Sequence, residues 1–245
     1  MAERPAEGPR ERLVDAAIRL LERDGPEGLN ARELAGAIGA STMAVYTHFG
    51  GMAGVHEAVM RESFVRFGRR LRDVPRTDDP VTDLLALGLA YREYALARPQ
   101  LYRFMFGITA PGAGPMIGHD LTTEGTPTEL AEVNATFGQV VELVRRAMDA
   151  GRIRSGEPAT IAGQVWSMIH GYVLLEIVGV FGDDGRGVTE ILAPHAANLL
   201  VGLGDRREAV ERSAMSLAAV PMASRAPRPA TAVRGPRPGP RPNKK

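Results

Sequence analysis

Apolar residues along this chain fall mostly three and four apart, the spacing of one helix face. Leu13, Ala16, Ala17, Leu20 and Leu21 make the first such stripe, and Gly25-Pro26 ends it. After Gly50-Gly51, the residues Val55, Val59, Phe64 and Phe67 line a helix from about 52 to 71. Thr82 or Asp83 can start the next, which carries Leu84, Leu85, Leu87, Tyr91 and Tyr94 and runs to Arg98. Pro99 opens a short helix over PQLYRFMFG. A further amphipathic helix spans 128–150, with Leu130, Val133, Phe137, Val140, Val141 and Val144, and stops at Gly151. Pro158 begins the most apolar one, which reaches residue 181; GDDGRG then turns the chain into a last helix over 188–202. No alternating run is long enough to argue for a sheet. The fold class predicted is all-α.

Residues 30–49, NARELAGAIGASTMAVYTHF, read as two short helices joined by a tight turn. Asn30 is placed to cap the first, and Glu33 can reach back to the cap residue's own N–H, completing a capping box. Leu29 and Leu34 occupy the two staple positions. Ala35 is small where helices cross closely, and Gly39 supplies the permissive backbone of a sharp turn. Ser41 caps the second helix, and Val45 and Phe49 lie four apart on its inward side. Thr42, Met43, Tyr46 and Thr47 then face outward, where they can meet base edges and phosphates. This is the pattern of a DNA-reading helix-turn-helix, although a helical hairpin within an ordinary bundle uses the same offsets.

Composition narrows the picture. The 245 residues suffice for one large domain or two small ones, and the absence of cysteine excludes disulfides and thiolate metal sites. The N-terminus, MAERPAEGPRER, lacks the apolar segment of a signal peptide. The longest apolar run, 165–181, is interrupted by His170 and Glu176 and is short for a membrane span. A cytoplasmic protein without a membrane partner is expected. The net charge of +1 hides an asymmetry: from Met222 onward there are seven cations and no acids, so the preceding 221 residues carry −6. The helix-turn-helix itself is nearly balanced, a weak basic footprint for a DNA binder. Residues 1–8 and the Pro/Arg-rich tail are expected to be disordered, the tail serving as a solubilising extension or as a flexible DNA clamp acting by counterion release.

The run from 13 to 55, LVDAAIRLLERDGPEGLNARELAGAIGASTMAVYTHFGGMAGV, resembles the N-terminal domain of the TetR family of transcriptional regulators. The carrying features are an amphipathic first helix, the DG-x-x-GL loop, the A-x3-G turn and V-Y-x-H-F. The resemblance implies a head over 9–56, a helical ligand-binding and dimerisation body over 57–204 and a tail over 205–245. Arg32 stands where some members read a guanine. Thr42, Met43 and Ala44 occupy base-touching slots, while Tyr46, Thr47 and His48 occupy slots that reach phosphates or bases. Asn30 and Ser41, at helix N-termini, complete the candidate DNA-binding set. One departure is Met52, where the family usually has a phosphate-contacting lysine.

In the body, five histidines show no metal-ligand spacing, and no nucleophilic triad, phosphate-cradling glycine motif or carboxylate pair is evident. Catalysis therefore has no support, and no cofactor or metal is implied. The W-x3-H-G constellation of Trp166, His170 and Gly171, together with RPQLYRFMFG, resembles the WHG type of TetR C-terminal domain. Trp166 and His170 share one helix face, as plain core residues would. The sharper expectation is a pocket of Tyr91, Tyr94, Phe104, Met105, Phe137, Trp166 and His170 for a small hydrophobic or aromatic effector. The helix from Pro158 and the segment ILAPHAANLLVGLG have the composition of a dimer seam, and in the family two such helices from each subunit form a four-helix interface. A homodimer would set its reading helices roughly 34–36 Å apart and require an inverted-repeat, double-stranded operator. The expected function is thus a ligand-responsive repressor. The rival is a small-molecule-binding or helical interaction protein that has lost DNA binding, with an enzyme a distant third.

Overall fold

Three helices fold back on one another at the amino end, and a fourth leads out of them. The computed structural model describes residues 8–109 and 119–220. Helix α1 (Pro9–Asp24) buries Leu13, Ala17 and Leu21 against Leu34 of α2 (Ala31–Ala37) and Val45 of α3 (Thr42–Phe49). The Asn30 side chain accepts from the backbone N–H of Glu33 at 3.0 Å, as a cap should. Only this forward half of the capping box forms, because the Glu33 carboxylate makes no return bond among the described residues. Leu29 and Leu34 are both buried in the head core, as the staple requires. Ser41 sits at the N-cap of α3, yet its hydroxyl caps nothing, a correction to the expected bond. Gly50, left-handed at φ 70, closes α3. A Cβ on Gly54 would lie 2.0 Å from the Phe49 carbonyl oxygen, so that glycine lets the next helix start directly beneath α3.

Helix α4 (Met52–Arg72) carries the chain from head to body. Its far half packs on α8 (Ala131–Asp149), the central body helix, which also contacts α5 (Pro80–Ala97) and α9 (Pro158–Ile177). Gln139 donates to the Gly68 carbonyl at 3.0 Å across the α4–α8 crossing. Glu176, one of the two residues that interrupt the apolar run, is buried and takes two bonds from Arg92, tying α9 to α5. The short α6 (Pro99–Met105) packs against α1, α4 and α5, with Leu101, Tyr102, Phe104 and Met105 buried. No strand occurs among the described residues, and the fold is all-α with a helix-turn-helix head and a helical body.

Several boundaries differ from those expected. Helix α5 starts a turn early, because Asp79 rather than Thr82 or Asp83 caps it, accepting from Val81 N at 3.1 Å. Asp83 is instead buried, held by the Thr77 backbone, its hydroxyl and Arg146. The Gly-, Pro- and Thr-rich stretch 109–127, expected to be a long irregular loop, contains a single turn, α7 (Leu121–Glu124), capped by Asp120, while 110–118 lie outside the described residues. Helix α9 ends at Ile177 rather than at residue 181. The last predicted helix is α10 (Ala193–Gly202), preceded by a π-wound turn over Val188–Leu192. Pro194 offers no N–H and its ring crowds the carbonyl four residues back, so a wider turn ahead of it relieves the clash.

The main correction concerns the tail. Residues 205–220 are ordered, and Arg207–Ser216 form α11, with Val210, Ser213 and Val220 buried. The sequence signal is thin there: α11 and the turn after it offer only Val210, Ala214, Leu217 and Val220 to the body. A polar clasp does the rest. Asp79 receives bonds from Ser213 Oγ at 2.5 Å, Thr82 Oγ1 at 2.8 Å and Arg152, and Arg152 also pairs with Asp205 at 2.8 Å. The expected disorder at 1–7 and 221–245 falls outside the described residues. Asp79→Ala removes a helix cap and the charged acceptor shared by Ser213, Thr82 and Arg152; it should cost about 2–4 kcal/mol in urea unfolding.

Candidate nucleic-acid surface and ligand cavity

The outward side of α3 is bare. Met43 and Tyr46 are 67% and 58% exposed, with Thr42 and Thr47 exposed beside them, whereas Val45 is fully buried. Thr47 turns its hydroxyl back to the Met43 carbonyl at 2.9 Å, so its methyl is the more outward part. Ala44 and His48 are half-buried, and the His48 ring lies edge-on to Phe49. Ser41 is exposed with its hydroxyl free of the helix, while Asn30 spends its side-chain oxygen on capping α2. Arg32, in the first turn of α2, is exposed and makes no ion pair. The structure therefore brings Arg32, Ser41, Thr42, Met43, Tyr46 and Thr47 to solvent in one motif. Arg10 was not among the expected residues: its guanidinium lies 5.1 Å over the Phe49 ring, adding a cation at the end of α3. Met52 turns partly into the head core and supplies no charge.

In the body, a cavity of about 130 Å³ lies between α5, α8, α9, α10 and α11. Its walls are leucine, valine, alanine and methionine, closed on one side by Tyr91 and Trp166. A smaller void of about 30 Å³ lies on the other side of those two rings, lined by Phe64, Phe67, Phe106 and Phe137. Behind this aromatic wall runs a buried chain of polar groups. Trp166 Nε1 donates to the Tyr91 oxygen at 3.3 Å, the Tyr91 and Tyr102 hydroxyls are 2.7 Å apart, and Tyr102 lies 2.7 Å from His170 Nδ1. Burial pushes the His170 imidazole down to about 4 and raises both tyrosine hydroxyls well above their ordinary range. The whole chain is thus neutral at physiological pH.

Of the seven residues expected around a pocket, Tyr91 and Trp166 line both spaces and Phe137 lines the smaller one. His170 joins through the polar chain rather than by lining. Three do not belong. Phe104 points into the head core, its ring 5.6 Å from that of His56. Met105 is buried in the body core and borders neither space. Tyr94 sits under the Arg98 guanidinium at 5.0 Å, towards a cleft between α1 and α4. The reason is helical phase: in α6, positions 101 and 104 face the head while 102 and 105 face the body. Tyr102, which anchors the chain, was missed, although its position two residues before Phe104 in a helix buried all round was a usable signal. The contributions of α11 and the turn after it (Val210, Ala214 and Leu217) had no signal in the sequence.

A capped helix-turn-helix with an unobstructed second helix, carried on a helical body that encloses an apolar cavity, defines a DNA-binding transcriptional regulator. The sequence matches the family described as bacterial regulatory proteins, tetR family, over residues 13–59, and the tetracyclin repressor-like C-terminal domain over 84–199. The chain belongs to the TetR family of transcriptional regulators. An uncharacterised HTH-type transcriptional regulator of Mycobacterium tuberculosis is 28% identical over 184 residues, covering 74% of this chain and 75% of that protein. A solved protein of unknown function from Rhodococcus sp. RHA1 is 28% identical, with TM-score 0.63 over 83% of this chain and all of the other. The fold is shared with RolR bound to resorcinol (14% identical, TM-score 0.59, 89% and 96% covered). It is shared also with the fatty acid degradation regulator FadR of Bacillus halodurans (19%, 0.57, 82% and 99%). Among the described residues, no helix is long and apolar enough to cross a membrane.

The buried imidazole has a consequence for stability. Folded, His170 stays neutral down to about pH 4, whereas in the unfolded chain it titrates near its ordinary 6.5. Between those values only the unfolded state takes up the proton, so stability should fall as pH drops through that window. His56, lowered by burial too, adds in the same direction. Urea unfolding at pH 7 and pH 5 measures the loss, and His170→Leu should diminish it.

Proposed function

We propose that the protein is a ligand-responsive repressor that binds an inverted-repeat operator as a homodimer. The observation that carries this is the bare outer side of α3 next to an unpaired Arg32. Arg32 would read a guanine bidentately, Met43 and Ala44 would make apolar contact with thymine methyls, and Ser41, Tyr46, Thr47 and His48 would meet phosphates or bases. Asn30 would serve by holding α2 in place. With Met52 in place of a lysine, Arg10 is the nearest substitute for the missing phosphate contact.

A second copy would cover α9 and α10. Leu175 and Val178 on the end of α9, and Ile191 just before α10, are 47%, 62% and 41% exposed, large apolar groups on neighbouring elements. Such a patch is what a homodimer buries. A head over 9–56 and a body from 57 onward, extended through α11, are supported by two hydrophobic cores, although Ala58, Val59, Leu101 and Phe104 pack into the head core.

Effector response would run through α6. Its residues Leu101 and Phe104 belong to the head core, while Tyr102 is in the polar chain behind the cavity. A molecule that shifts Trp166 and Tyr91 would bias the position of Tyr102, and with it the seat of α1 and α4. The liganded state would differ in head separation and bind DNA more weakly. Action in the cytoplasm, on chromosomal DNA, completes the reading.

Gel retardation with the DNA upstream of the protein's own gene, at two salt concentrations, tests it. Retardation that is sequence-selective and salt-dependent is expected; none at low salt would favour a protein that has lost DNA binding. Arg32→Ala should cost about 1–3 kcal/mol and relax selectivity at one position in each half-site. Val178→Asp should give a sedimentation mass of one chain and abolish retardation on the full operator.

A further inference from the structure

We propose that the cavity takes an uncharged, ring-sized apolar molecule bearing one hydroxyl, seated between Trp166 Nε1 and the Tyr91 oxygen. This rests on the reading of the body as an effector site and adds the chemical class. Three observations carry it.

The first is size and lining. An apolar cavity near 150 Å³ stays dry and accepts benzene in another protein, and the space here is about 130 Å³ with no ionisable side chain on its walls apart from the Tyr91 phenol. A second void lies directly behind the Tyr91–Trp166 wall, giving the indole somewhere to move.

The second is charge. A carboxylate entering this space would shed its water with no cation to meet it, so its binding is strongly disfavoured. His170 is the one basic group in the polar chain, and burial keeps it neutral. Acids, including free fatty acids and benzoates, are therefore excluded.

The third is the hydrogen-bond chain. Its links from Tyr91 to Tyr102 and from Tyr102 to His170 are both 2.7 Å, and Tyr91 lies 3.0 Å from His170 Nδ1 as well, but the link from Trp166 to Tyr91 is 3.3 Å, the longest of the four. The weak link is also the one at the cavity wall. A hydroxyl inserted there accepts from the indole N–H and donates to the Tyr91 oxygen; if His170 carries its proton on Nδ1, the Tyr91 hydroxyl donates to it instead. A hydroxyl serves either direction of the chain, whereas a bare hydrocarbon satisfies neither end.

The test uses three probes of one ring size: benzyl alcohol, toluene and benzoate. Trp166 is the only tryptophan in the chain, so its fluorescence reports binding directly in the intact protein. Benzyl alcohol should saturate the signal at least 100-fold more tightly than benzoate at pH 7.5. Tyr91→Phe should weaken benzyl alcohol about tenfold and toluene less than twofold. Should that variant not fold, the indole N–H resonance of the wild-type protein should move downfield with benzyl alcohol and not with toluene. Benzoate binding within tenfold of benzyl alcohol, equal losses for alcohol and hydrocarbon, or no saturation by any probe would overturn the proposal. Gel retardation with the same probes separates the two readings: binding without DNA release leaves the ligand class intact and removes ligand-responsive repression. Operator binding that persists while no probe enters the cavity removes the class alone.

Discussion

The arrangement of this molecule depends on one short helix being buried on two sides at once. Helix α6 has seven residues, and no isolated helix of that length is stable in water. It exists because Leu101 and Phe104 complete the head core while Tyr102 and Met105 complete the body core. Close packing on both sides means that neither core can shift without moving α6, which makes the head and body mechanically dependent on each other. Arg66 pairing with Asp15 and Arg98 with Glu22 add polar ties between the same regions, but these are partly exposed and weak by comparison.

The polar chain from Trp166 to His170 gives that dependence its specificity. Four side chains from α5, α6 and α9 meet where the surroundings are apolar, so each must find a partner within the group. Tyr102 cannot slide freely past α5 and α9, because its hydroxyl is bonded to both Tyr91 and His170. In the proposed function, an event at the cavity wall would reach the seat of the head through these named atoms rather than through general softness of the bundle. The head itself is held rigidly by a cap, a staple and a glycine-floored crossing, and its reading side is left for a duplex.

Much of this was legible in the residues. The helix-turn-helix was readable because its determinants are local: a cap, a staple and a turn glycine act within a few positions of one another, and the side α3 presents follows from a 100° step. Trp166 and Tyr91 entered the expected pocket through the W-x3-H-G resemblance and as body aromatics, but the same reasoning also admitted Tyr94 and Phe104, which pack elsewhere. The ordered helix α11 was not readable, because a few apolar residues in a charged segment look like a solvated end. Its order comes from Asp79 and Arg152, which are remote in sequence and meet Ser213 only after the body has folded, with Asp205 holding Arg152 in place.

By itself, then, the sequence determined the all-α class, the order of the helices, the reading motif and the aromatic character of the body, all of which follow from short-range periodicity and capping. Only the tertiary structure decided the rest: that Phe104 serves the head and Tyr102 the buried polar chain, that Tyr94 looks away, that Ser41 leaves its hydroxyl free, and that α11 forms one wall of the apolar space. These depend on the phase of one helix relative to two cores and on contacts between distant segments, and neither quantity is carried by the residues next to one another in the chain.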